Sequence, residues 1–450
     1  MSTSPPSGAA PTRDTSVRWA ILALLFLASF VAYLLRQNIN VAAKLMMPEL
    51  GLTNLQMGWI FAAYSWGYAL FQFPGGLFGE AVGGRRALAV TALLWVVATL
   101  FTGLVPGKWI VSTTGVLVSL LLLRFLLGVF QAPLFPIIGG VIAEWFPVGQ
   151  WALPNGLTSA GLTLGAAVAS PFVAWAMVAI GWRESFLLAA PVALLMIGVW
   201  WWYATDTPAQ HPRIGRGELA LILAERRREE NPAPGPRVAG LWGKILANRN
   251  VCLLALSYFA MNYVFYFFSY WFYIYLTDVR GFSILSGGFY AALPWLAGAV
   301  CASAGGWLCD HLCGRIGPRW GVRLPGAGGL VLVALFLGLG AAAPDHYVAV
   351  ALLALCFGCT QLTEGAYWTS CAYIGGRHTP ATAGVMNTGG NLPGVVVGPL
   401  IPMLVVRYGW PLAVSTGCLV ALVGALLWLW IRVDEPLVLD GERTPLADAS

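Results

Sequence analysis

Apolar runs close to 20 residues long recur along the whole chain, separated by short polar intervals. They read as 19–43, 56–79, 87–105, 113–143, 151–178 and 185–204, then 250–277, 284–309, 323–342, 347–374, 381–406 and 409–433. A helix needs about 20 apolar residues to cross a bilayer, whereas a barrel strand needs about ten. The pattern therefore predicts an all-α polytopic membrane protein of about twelve transmembrane helices. They fall in two groups of six, 19–204 and 250–433. Residues 1–18, rich in Ser, Pro and Thr, and 434–450 read as tails. Between the groups, 205–249 reads as a cytoplasmic linker with a short surface helix over 218–230.

Composition agrees. Hydrophobic residues make up 58% of the chain and charged residues only 10%, against about 25% charged in soluble domains. The net charge of +6 is no nucleic-acid signal, because its distribution follows membrane topology. With the linker in the cytoplasm, Arg85, Arg86, Arg315, Arg319, Arg323, Arg377 and Arg432 lie there too. The opposite loops keep Lys44, Lys108, Arg183, Arg280 and Arg407. The positive-inside rule then places both termini in the cytoplasm. The eight cysteines lie in or beside apolar runs and read as free thiols, without a disulfide framework or a zinc site.

The polar residues inside the apolar runs matter most. Arg124 lies among leucines, and a guanidinium at mid-helix costs roughly 3 kcal/mol to insert. It must be paired, hydrated or facing a cavity. Gln131 follows two turns later on the same face, then Ala132-Pro133 and Pro136, which predict two backbone breaks. Arg36 is the second basic residue placed deep in the membrane. Glu364 is the one acid placed there. Glu80, Glu144 and Asp310 fall nearer the cytoplasmic helix ends, as do Arg85 and Arg86, and read as gating residues that pair charges or helix termini.

The two halves echo one another. Gly75-Gly76-Leu77-Phe78-Gly79-Glu80 precedes Arg85-Arg86 in the first, and Gly305-Gly306-Trp307-Leu308-Cys309-Asp310 precedes Arg315 and Arg319 in the second. Two six-helix repeats with a site between them describe a secondary transporter. The chain resembles the major facilitator superfamily, whose inter-helix loop this motif matches, with Glu80 where Asp is usual. More narrowly it resembles the anion:cation symporter family of sugar-acid and organic-anion carriers. The matching stretches are Tyr33-x-x-Arg36, Gly58-Trp59-x-Phe61 through Gln72-x-Pro74-Gly75-Gly76, Arg124-Phe125 through Gln131-Ala132-Pro133-x-Phe135-Pro136 to Trp145-Phe146-Pro147, and Asn387-Thr388-Gly389-Gly390-Asn391.

The resemblance implies that Arg36 and Arg124 bind a substrate carboxylate, for which a guanidinium offers paired hydrogen bonds. Tyr33 and Tyr64 are candidates to bond a polyol or carboxylate, or are interhelical struts. Asn391 is favoured over Asn387 by analogy. The seventh run carries Tyr258, Tyr263, Tyr266, Tyr270, Trp271 and Tyr273 on every face, and the sequence does not choose among them. Two departures bear on coupling. Proton-coupled members of the family carry acids before the first arginine and at the position of Gln131, where this chain has Leu35 and Gln131. Neither titrates, though Gln131 remains able to bond substrate. Glu364 becomes the candidate coupling residue, since a buried carboxyl without a cation exchanges protons near neutrality; a static salt bridge is the competing reading.

The expectation is alternating-access transport of a small organic anion by a monomer in a bacterial inner membrane, without a cofactor or metal. Proton symport, uniport and exchange stay open, as does a zwitterionic substrate whose amine pairs with Glu364. An enzyme would need a nucleophile–base set or metal ligands. His211, His311, His346 and His378 are scattered over loops and helix ends and supply none.

Overall fold

A computed structural model of the protein describes residues 15–107, 112–147, 150–229, 241–435 and 437. The outer parts of both expected tails, Lys108, and the end of the linker helix with Pro232–Arg237 lie outside the described residues. Helices α1 (Val17–Leu50), α2 (Asn54–Val82), α3 (Gly84–Gly103), α4 (Thr113–Gln131), α5 (Leu134–Trp145), α6 (Ala152–Ala179) and α7 (Trp182–Tyr203) build the first half. The linker carries α8 (Arg216–Glu229) and α9 (Leu241–Ala247). The second half comprises α10 (Arg249–Tyr270), α11 (Phe272–Asp278), α12 (Ile284–Ile316), α13 (Pro318–Ala342), α14 (His346–Gly375) and α15 (Thr379–Leu427).

These are twelve membrane crossings. Among the described residues, ten stretches are long and apolar enough to span by length and composition alone. The tenth of them folds back on itself at Gly409, whose φ of 80° lies in the left-handed region. There the chain reverses between the eleventh and twelfth crossings, where a residue with a Cβ would be strained. The remaining crossing is α2, 29 residues long, apolar but richer in Trp, Tyr, Gly and Gln.

Side-chain caps start several crossings by satisfying backbone N–H groups that a helix leaves unpaired. Thr53 and Gln56 form a capping box on α2. Ser112, Asn248, Ser283 and Asp345 accept first-turn N–H groups of α4, α10, α12 and α14. The fourth crossing is interrupted once, between α4 and α5 at Ala132-Pro133. The second predicted break does not occur. Pro136 falls in the first turn of α5, where its missing N–H has no helical acceptor to lose.

Close backbone contact replaces hydrophobic driving force between helices in a bilayer. Where α2 meets α4, a Cβ at Gly67 would overlap the Phe125 carbonyl and one at Gly128 the Tyr64 carbonyl. Only hydrogens at both positions bring Arg124 and Tyr64 onto one shared wall.

The halves meet through α2 against α15 and α6 against α12. Contact is tightest at the end away from the linker. There Gly58 lies against the Gly398 carbonyl, Gly288 against Ser170 and Ala174, and Lys44 pairs with Asp278 across the halves. At the linker end, a Cβ at Gly384 would meet nothing within 4 Å. Toward that end, Asn387 Nδ2 donates to Gln72 Oε1 across the halves at 3.3 Å. The halves are thus packed against each other at the end away from the linker.

Helix α8 is held by Glu218, which accepts from Thr15 Oγ1 at 2.6 Å and from the backbone N–H groups of Val17 and Arg18 at 3.1 and 3.0 Å. The linker helix therefore caps the start of α1. Four cysteines are buried and Cys252 is exposed, all as free thiols.

Candidate functional site

Arg124 and Gln131, seven residues apart on α4, both reach α1. Arg124 Nη2 donates to the Arg36 carbonyl at 3.1 Å and Gln131 Nε2 to the Ala32 carbonyl at 3.0 Å. The two acceptors are four residues apart, one turn of α1 matched to two of α4. Arg124 is 2% exposed, and its Nε is buried without a partner. Gln131 is engaged at both ends, since its Oε1 accepts from the Tyr64 hydroxyl at 2.8 Å. It holds α1, α2 and α4 together beside Arg124.

Arg36 sits in a cage of rings. Its guanidinium carbon lies 4.9, 4.7, 5.6 and 5.9 Å from the ring centres of Tyr33, Tyr64, Tyr68 and Tyr266. Nη1 donates to the Tyr33 hydroxyl at 3.0 Å and Nη2 to the Tyr266 hydroxyl at 3.4 Å. Ring faces attract a desolvated cation by roughly 1–2 kcal/mol each without neutralising it. Neither arginine makes an ion pair among the described residues.

The second half presents Tyr266, which donates to Asn391 Oδ1 at 3.0 Å. Asn391 Nδ2 donates to the Asn387 carbonyl at 2.8 Å. Both asparagines are thus engaged, Asn391 with Tyr266 and Asn387 across the halves. Glu364 lies on α14, its two oxygens each 3.2 Å from the Tyr258 hydroxyl, and Oε2 accepts from Trp368 Nε1 at 2.9 Å. Its partners are neutral donors rather than a salt bridge.

Tyr258, Tyr266 and Tyr270 are the site residues that the sequence reading left undecided. Tyr270 hydrogen-bonds Ser65 across the halves at 2.6 Å. With Asn262 they recur every four residues, and that spacing was the available signal. Arg280 and Arg323 are also tied in: Arg280 donates to the carbonyls of Gly340, Ala341 and Ala343, and Arg323 to that of Ile431.

The gating candidates lie at the linker end. Arg85 donates its backbone N–H to Asp206 and its guanidinium to the Trp201 carbonyl. Glu144 is half-buried. Glu80, Arg86 and Asp310 are exposed and make no ion pair among the described residues.

Two buried arginines, one of them ringed by tyrosines, lie in a chain of two six-helix halves, and the sequence matches Major Facilitator Superfamily over residues 25–395. The chain belongs to the major facilitator superfamily. It is 32% identical over 431 residues to the "Probable sulfoacetate transporter SauU" of Cupriavidus necator, covering 93% of this chain and 96% of that one. It is 30% identical to the D-galactonate transporter of Escherichia coli, over 96% and 98% of the two chains. To the hexuronate transporter of Bacillus subtilis it is 30% identical over 86% and 87%. Among solved structures, a bacterial homologue of the human lysosomal transporter Spinster superposes with a TM-score of 0.73, at 16% identity, over 94% and 97%. A D-xylose-proton symporter does so with 0.72, at 14%, over 93% and 98%. This superfamily member is an integral membrane transporter and not an enzyme, and its relatives carry organic anions.

Proposed function

We propose that the protein moves a small organic anion, a sugar acid or related carboxylate, by alternating access, clamping its acidic group between Arg36 and Arg124. The observation that carries this reading is the pair of buried guanidiniums with no acidic partner among the described residues, one with an orphaned Nε. A buried cation left so is expensive unless a ligand supplies the countercharge. The relatives' named substrates are all acids, which supports it. In this reading the carrier is a monomer in a bacterial inner membrane, and the basic linker supports cytoplasmic termini under the positive-inside rule.

In this reading Tyr33, Tyr64, Gln131 and Asn391 shape the site, and Glu364 is the proton carrier for symport. Glu364 favours that role because it is held by neutral donors and can take up and release a proton without breaking an ion pair. A second reading rests on the same carboxylate: a zwitterion would place its acid at the arginines and its amine at Glu364. The test is thermal stabilisation of purified protein by sugar acids, dicarboxylates, sulfoacetate and amino acids. Sugar acids stabilising most supports the first reading, and amino acids alone stabilising would replace it with the second.

A further inference from the structure

On α1, Tyr33, Arg36, Gln37 and Asn40 stand at i, i+3, i+4 and i+7, a single helical face. Gln37 and Asn40 are each 4% exposed, on the side of Arg36 toward the end where the halves pack together. Asn40 Nδ2 donates to Gln37 Oε1. That bond leaves Gln37 Nε2 and Asn40 Oδ1 buried with no partner. The neighbouring Asn38 differs, because it exchanges bonds with Ser185 on α7 and is satisfied.

The orphaned pair is one donor and one acceptor, side by side. Turning both amides over changes which residue supplies which, but still leaves one of each. Buried polar atoms without partners are rare because each forfeits the hydrogen bonds it had in water. A group that accepts one bond and donates another satisfies both at once, and a hydroxyl does so. A carboxylate cannot donate, an ammonium cannot accept, and a methylene does neither.

We infer that Gln37 and Asn40 form a hydroxyl-binding subsite beyond the arginine clamp, which makes the carrier select hydroxylated acids. The inference rests on the anion reading and names its substrate class more closely. Asn40 lies one turn past Arg36, about 6 Å along the helix. A six-carbon acid held at Arg36 reaches that far, and a two-carbon acid does not.

Matched six-carbon ligands test it: D-glucarate against adipate, and D-galactonate against hexanoate, which differ in their hydroxyls. Purified native protein should bind the hydroxylated partner of at least one pair roughly tenfold more tightly or better, as one hydrogen-bonded hydroxyl requires. Gln37→Met and Asn40→Leu should each shrink that ratio while leaving affinity for the unhydroxylated partner within about twofold. Two independent variants guard against one that misfolds, and a ligand-free melt identifies it. A ratio unchanged in both variants overturns the subsite and leaves the orphaned atoms to internal water. Equal weakening of both partners overturns it too, in favour of a packing role. Binding of no acid by the native protein defeats the anion reading itself.

Discussion

Arg124 donates from Nη2 to the backbone carbonyl of Arg36 at 3.1 Å, so two cations of the same half are joined without either being neutralised. The bond fixes where Arg124 points and leaves its Nε for something else. Truncating it removes a desolvated charge from the site. Arg124→Ala should weaken binding of an anionic ligand by about 2–5 kcal/mol, some 30-fold or more. Arg124→Lys should recover little, because an ammonium cannot bond the Arg36 carbonyl and still offer a planar pair of donors. Calorimetry on purified protein measures both, and native affinity in Arg124→Ala would remove the clamp.

Closure at the end away from the linker depends on Gly58 facing Gly398, where a Cβ on either would overlap the other's carbonyl. Gly58→Val should hold the halves apart there. Ligand binding should survive while counterflow exchange falls at least about tenfold, since exchange requires the closed state to be populated. Unchanged exchange would mean that this contact does not close the path.

Glu364 is bonded by Tyr258 and Trp368 and by no cation. Glu364→Gln keeps the shape and removes the titratable group. Uptake driven by a pH gradient should be lost, while exchange of labelled for unlabelled substrate continues in the same liposomes. Persistent pH-driven uptake by this variant eliminates the proton role.

His211, in the linker after α7, accepts the Arg213 N–H at Nδ1 and hydrogen-bonds the Tyr203 carbonyl through Nε2. Burial holds its imidazole below the ordinary value. The neutral ring is thus the form that the fold prefers, and the unfolded chain takes up the proton first as pH falls. Its stabilising contribution is complete above the unfolded pKa, near 6.5. It declines as pH drops through that value toward the folded one. Lowering pH from 7.5 to 5.5 should reduce the melting temperature of native protein more than that of His211→Gln, by about 1–2 °C. A smaller drop in the native protein would reverse the assignment.

The sequence by itself determined the membrane architecture, because the bilayer demands a fixed length of apolar helix and tolerates charge only where it is used. The spans, and the reading of Arg36, Arg124 and Glu364 as residues deep in the membrane, followed from that demand alone. It misjudged Pro136, whose effect depends on its place in a helical turn rather than on its presence. It also could not choose among the α10 tyrosines, because rings on every face blur a four-residue repeat. Tertiary structure decided that choice by bringing Tyr266 to Arg36 and Asn391, and Tyr258 to Glu364. It likewise engaged Gln131 at both ends while leaving Gln37 and Asn40 each with an atom unbonded. Whether a buried polar atom is satisfied depends on neighbours distant in the chain, and only the packed helices supply them.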